Sequence, residues 1–302
     1  MALAWASDGV HLAVVTGDNA HTIHVYRVDL QAATVSACVF SAPCHRGEPP
    51  QVFGVTWNNF TRTIDAGTRD IRPNAHAFVT YGVKHIRFWQ YNAQAATYLG
   101  GALCVVVISF DVDMRWNGAA AAALTRLWNV MFKMRWTAGE GVFGSAAKQD
   151  IVSACYLPRA GAAVAAGTRQ GDVYIWCSKT HQLRTAVTAH QPGATVPSWH
   201  TGKAVPAGVR AMALSHMQQQ LVTGGADGAI MRWNIPSDGA KQLSGGLELA
   251  SVFRVAAPLN GPAPSFSAMD CSPLGSPELY LGTHGCAPSP SIRCHALARS
   301  AT

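Results

Sequence analysis

The 302-residue sequence predicts an all-β fold assembled from repeated small sheets of the propeller-blade kind. Three observations carry this. A hairpin-like unit recurs along the chain, each copy ends in a large aromatic, and Gly-containing turns fall between the strand-forming runs. The clearest copy is residues 221–235, "LVTGGADGAIMRWNI". Leu221, Val222 and Thr223 are strand formers. Ala226-Asp227-Gly228 reads as a tight turn, because Gly takes φ > 0 without steric cost and Asp bonds the local backbone. Beyond it, alternation places Met231, Trp233 and Ile235 on one face and Ile230, Arg232 and Asn234 on the other.

Three further copies are "HLAVVTGDNAHTIHVYRV" (11–28), "AHAFVTYGVKHIRFWQ" (75–90) and "AVAAGTRQGDVYIWC" (163–177). They end in Tyr26, Trp89 and Trp176, which the pattern assigns, with Trp233, to blade cores. Upstream of each unit lies another short strand: "ALAWASDG", "VFGVTWNN", "IVSACYLPRAG" and "VRAMALSHMQ". A weaker fifth copy, "SFSAMDCSPLGSPELYLGTHG", follows. One hairpin cannot bury both of its faces. Sheets of this size become stable when neighbours stack against them.

This pattern resembles the WD40 family, with Trp233-Asn234 and Trp176-Cys177 where the Trp-Asp dipeptide usually stands. The resemblance implies a structural tetrad of His190, Thr223, Asp227 and Trp233. In the preceding unit Gln170 takes the Asp position, so a full tetrad is not expected there. "FVTYGVKHIRFW", "GVFG" and "ELYLGTHG" stand in an order similar to the echinoderm microtubule-associated protein-like family. That narrower likeness implies a microtubule or cytoskeletal partner, with a cilium or flagellum as the setting. The alternatives are a general interaction scaffold, such as a ubiquitin-ligase or trafficking adaptor, and, more distantly, a propeller hydrolase.

The intervals between Tyr26, Trp89, Trp176 and Trp233 all exceed the roughly 40–45 residues of an ordinary blade. Insertions are therefore expected within a propeller spanning 1–302, at 101–138 and at 191–208. Four to five blades are visible. Closing a seven-bladed ring would need more chain, so a segment of a longer protein, a truncated gene model and another mode of closure all stay open.

Within the first insertion, "AAAAALTRLWNVMFKMRW" (119–136) departs from the β pattern. Leu124, Leu127, Trp128, Met131 and Met134 recur at helical spacing. Three readings stay open: a basic amphipathic helix for a partner or membrane surface, a helix packed on its own propeller, and a translated intron. The second insertion, rich in Pro and Gly, reads as an exposed loop.

Composition narrows the function. Hydrophobic residues make up 49% and charged residues 13%, with a formal net charge of +7. A basic chain favours acidic partners. The Lys and Arg residues are scattered, so a nucleic-acid arm is not indicated. Arg69, Arg72, Lys84 and Arg87 form a candidate basic patch. The longest apolar run, "LGGALCVVVISF", is too short to span a bilayer. "MALAWASDGV" lacks the basic start of a signal peptide. The eight Cys include no C-x-x-C, which points to a reduced cytoplasmic or cytoskeletal compartment.

No phosphate loop, G-x-S-x-G elbow or H-E-x-x-H is present. Two weak metal-ligand groupings are Cys286, Cys294 and His295 with His284, and Cys38, Cys44 and His45. Neither has a common zinc spacing. The expectation is a protein that is not an enzyme and uses no cofactor.

Overall fold

In the computed structural model, residues 2–32, 34–44, 51–60, 62–64, 71–73, 77–91, 136–158, 163–191, 195–197, 204–206, 208–215, 220–235, 247–254, 265–271 and 279–284 are described. All regular structure among them is β. It forms antiparallel sheets of the size of propeller blades.

The first sheet runs β1 (Ala2–Trp5), β2 (His11–Val15), β3 (Ile23–Asp29) and β4 (Thr34–Ala42) in simple order. β5 (Val52–Trp57) opens the second. After a small hairpin of β6 (Arg62–Ile64) and β7 (Ile71–Pro73) come β8 (Ala77–Gly82), β9 (His85–Tyr91) and β10 (Trp136–Glu140), giving the order β10-β9-β8-β5. The third runs β11 (Ile151–Leu157), β12 (Ala163–Thr168), β13 (Asp172–Cys177) and β14 (Leu183–Thr188). Another small hairpin, β15 (Thr195–Pro197) with β16 (Ala204–Pro206), precedes the fourth sheet. That sheet holds β17 (Val209–Ser215), β18 (Gln220–Gly225), β19 (Ala229–Asn234) and β20 (Glu248–Arg254). β21 (Ser265–Cys271) pairs with β22 (Leu279–His284) in a fifth.

Cα packing divides the chain into two units: residues 1–49, 57–80 and 87–139 in one, and 50–56, 81–86 and 140–302 in the other. In the second unit the blade principle is plain. Trp233 and Ile235, with Val209, Leu221 and Leu247, pack against Leu157, Ala163, Ala165, Val173 and Ile175 of the third sheet. The opposite face of the fourth sheet, through Ala211, Val222 and Ile230, packs on Phe266 and Leu279 of the fifth. The alternation expected for residues 230–235 thus divides the strand between two neighbours, and each face is buried by a sheet of the same kind. Gly224 permits the second approach, because a Cβ there would press on Met269 and Phe266.

In the first unit the core is aromatic. Phe78 stacks on Trp89 at 5.7 Å and lies 4.9 Å from Trp57. Phe40 meets Trp89 at 5.6 Å, and Trp136 packs on Phe78 at 5.1 Å. The Trp57 indole also donates to the Ala4 carbonyl at 2.9 Å, tying β5 to β1.

Three expectations change. Trp136 was expected to end a helical stretch, and residues up to 138 an insertion. Instead Trp136–Glu140 is a strand, because its indole has an aromatic cluster to enter. Residues 92–135 lie outside the described residues. The loop at 191–208 contains a β-hairpin, in which Val196 pairs with Val205. Tyr26 is only partly buried, whereas Trp89, Trp176 and Trp233 are 3%, 0% and 3% exposed. The side chains filling the core from β3 are Ile23 and Val25, on the face opposite Tyr26. Tyr26 stacks instead on the His24 ring at 5.9 Å.

Candidate functional site

The fourth blade presents the most developed polar arrangement. Trp233 Nε1 donates to Thr223 Oγ1 at 3.0 Å, and His190 Nε2 lies 2.9 Å from the same hydroxyl. His190 Nδ1 stands 3.1 Å from Asp227 Oδ1. A carboxylate only accepts, so Nδ1 carries the proton and Nε2 accepts from the threonine hydroxyl. Every donor in the chain Trp233–Thr223–His190–Asp227 then has an acceptor. The backbone amides of Ala229 and Gln191 also donate to the Asp227 carboxylate.

Local sequence explains this geometry. Thr223 and Trp233 sit at Leu221↔Trp233 and Thr223↔Met231 in the β18–β19 register, two positions apart on one face. Asp227 occupies the turn between those strands. Gly225 leaves room for the imidazole, since a Cβ there would collide with the His190 ring and with Asp227. His190 arrives two residues after β14, so a residue leaving the third blade is locked into the fourth. Burial alone would raise the Asp227 carboxyl. The hydrogen bond from His190 and those from the two amides outweigh that and hold it below its ordinary value.

The equivalent places elsewhere are filled differently, as Gln170 already indicated for the third blade. In the second blade, Trp89 Nε1 donates to Thr80 Oγ1 at 3.0 Å. Cys44, two residues after β4 as His190 is after β14, is buried beside Thr80. Burial pushes its thiol up to about 12, against the smaller opposing effects of the Arg87 charge and the Thr80 hydroxyl. In the third blade, Ala166 stands where Thr223 stands in the fourth, and Trp176 Nε1 has no hydrogen-bond partner. Phe143 covers that indole edge-on at 5.3 Å. A polar chain, a thiol and a phenyl ring thus meet the same requirement for a plug behind the blade tryptophan.

The basic residues scatter in their roles. Arg69 lies outside the described residues, and Arg72 falls in β7 with its side chain undescribed. Lys84 is exposed at the β8–β9 turn with φ 53°. The Arg87 guanidinium donates to the Cys44 carbonyl and lies 5.1 Å over the Trp89 ring.

No cluster of three metal-ligating side chains occurs among the described residues. Cys38 is exposed and its thiol donates to the Phe40 carbonyl at 3.1 Å, while Cys44 is buried. His45, Cys286, Cys294 and His295 lie outside the described residues, as does the His284 side chain. No helix among the described residues is long and apolar enough to cross a membrane.

Comparison with solved structures agrees with this geometry. The Myceliophteria thermophila Cps50 (Swd1) β-propeller domain is similar over 94% of this chain and 66% of its own, with TM-score 0.52 and 13% identity. The fold is a β-propeller. Saccharomyces cerevisiae Sqt1 also matches, at TM-score 0.48 and 10% identity, over 90% of this chain and 52% of its own. The chain therefore spans about half the length of one of these structures and just under two thirds of the other. No protein-family model and no curated protein matches the sequence. The narrower likeness to the echinoderm microtubule-associated protein-like family finds no support in these comparisons.

Proposed function

We propose that the chain is a non-enzymatic WD40 scaffold that holds partner proteins together. The observation carrying this reading is the sealing of its most catalytic-looking group. His190 is 1% exposed and both ring nitrogens are engaged within the fold. General acid–base work needs an imidazole within reach of a substrate proton. This imidazole instead joins one blade to the next. A second His–Asp pair, His11 with Asp8 at 2.6 Å, is built into the β1–β2 turn, where Asp8 also accepts the amides of Val10 and His11. Both described His–Asp pairs are thus spent within the fold, and blade edges and loops are where propellers display binding residues.

The test is proximity crosslinking of the tagged chain in cells, followed by reconstitution with the recovered proteins. A scaffold gives a saturable complex of defined stoichiometry. A chain that remains alone at micromolar concentration with every recovered protein contradicts the reading.

A narrower reading places tubulin or a microtubule-associated protein as the partner, in the cytoplasm, on the cytoskeleton or in a ciliary or flagellar axoneme. It is supported by the net charge of +7, which suits an acidic polymer surface, and by the sequence resemblance. Co-sedimentation with microtubules across a salt titration decides it. Absence of pelleting at low salt removes this reading and leaves the general scaffold intact.

A further inference from the structure

Phe53 and Arg210 are the second residues of β5 and β17, each an edge strand of its sheet, and both are half-buried. Arg169, in the β12–β13 turn, joins them. Its guanidinium lies 5.3 Å over the Phe53 ring. Its Nε is 3.1 Å from Asp150 Oδ2, and its amide donates to the Asp150 carbonyl at 2.9 Å. Arg169 is therefore fixed from three sides.

The backbone brings Arg210 to it. Gly208, at φ 67°, lies so close to Thr168 and Arg169 that a Cβ would strike their main chain. Ser153 Oγ donates to the Val209 carbonyl at 2.5 Å, fastening the start of β17 to β11. These contacts set Arg210 beside Arg169. Among the described residues the Arg210 side chain makes no hydrogen bond or ion pair, and Asp150 is the carboxylate paired to Arg169. Burial and the Arg169 charge both disfavour the charged form of Arg210. Arg169 has one anion, Asp150, and Arg210 beside it has none among the described residues, so the pair is short of negative charge.

We propose that Arg169 and Arg210, with Phe53 beside them, receive a carboxylate from an acidic segment of a partner protein. A side-chain carboxylate supplies the missing anion and accepts from a planar guanidinium in two-point fashion. Phe53 holds Arg169 flat and offers an apolar wall to the methylenes of an incoming Glu. The proposal rests on the scaffold reading and names the chemistry of one of its partners.

The test is fluorescence anisotropy of the intact chain with a labelled oligo-glutamate peptide, with oligo-glutamine as control. The expected result is binding of oligo-glutamate that weakens as salt rises, and none of oligo-glutamine. Arg210→Gln weakens binding about tenfold or more, the loss of one charged hydrogen bond. Arg210→Lys falls between the two. Lys179→Gln, in the turn at the other end of β13, leaves affinity unchanged. Thermal unfolding of Arg210→Gln stays at or above the parent, because a like-charge contact is removed, so weakened binding cannot be assigned to misfolding. Equal affinity of parent and Arg210→Gln overturns the proposal, as does an equal loss with Lys179→Gln. Absence of oligo-glutamate binding at low salt also overturns it. The scaffold reading is judged separately, by the reconstituted complex.

Discussion

Thr223 Oγ1 stands between two rings, 2.9 Å from His190 Nε2 and 3.0 Å from Trp233 Nε1. One hydroxyl donates to the histidine and accepts from the tryptophan, within a blade-to-blade joint that is fully buried at Thr223. Thr223→Val keeps the shape and removes both bonds. Each orphaned buried group costs about 1–3 kcal/mol. Chemical denaturation is expected to show a loss of about 2–4 kcal/mol, at the upper end of ordinary point substitutions.

The blade tryptophans should differ in what their indole N–H contributes. Trp233 and Trp89 donate to threonines, and Trp176 does not. Substitution by Phe opens a cavity at all three sites. Trp176→Phe is expected to be the mildest, by about 1 kcal/mol for the missing hydrogen bond. Equilibrium unfolding of the three variants checks the ranking.

Acid should loosen the joint. The Asp227 carboxyl lies below its ordinary value in the folded chain, so the folded state binds its proton less readily than the unfolded state. Its contribution to stability is complete above the unfolded carboxylate range, near pH 4, and is lost as pH falls through the depressed folded value. The parent should lose stability on acidification more steeply than Asp227→Asn, measured by urea unfolding at stepped pH.

Gly225 is a packing glycine. Gly225→Ala should push the His190 ring away from Asp227 and destabilise by about 2 kcal/mol or more. Gly144→Ala, where a Cβ meets nothing within 4 Å but φ is 59°, isolates the backbone contribution. A smaller loss at Gly144 than at Gly225, in thermal unfolding, is the expected order.

The thiols should report the same burial. Cys38 is exposed, while Cys44 is buried with its thiol pushed up to about 12. Peptide mapping after brief alkylation at pH 8 should find Cys38 modified in the folded chain. Cys44 should be modified only after denaturant is added.

The sequence displays the inner and middle strands because they must be apolar and end in Trp, and because Gly and Asp mark their turns. The His190–Thr223–Asp227–Trp233 set was legible through the WD40 resemblance, because Thr223, Asp227 and Trp233 fall in one hairpin and His190 stands upstream of it. The outer strands were not. β14 and β20 alternate exposed with half-buried residues, so their patterns lack a continuous apolar signal. Trp136 was hidden by the Ala-rich, helix-spaced run before it. Cys44 and Phe143 were missed because their equivalence to His190 is positional, two or three residues past an outer strand, and no residue type marks it. Arg169 and Arg210 are separated along the chain and are brought together by a left-handed glycine and one serine hydroxyl.

The central claim is that His190, leaving one blade, is bonded into the next. A double-mutant cycle between His190→Ala and Thr223→Val, read by urea unfolding, tests it most directly. The account predicts a coupling energy of about 1 kcal/mol or more, with the second substitution costing far less once the first is made. Strictly additive losses would contradict it.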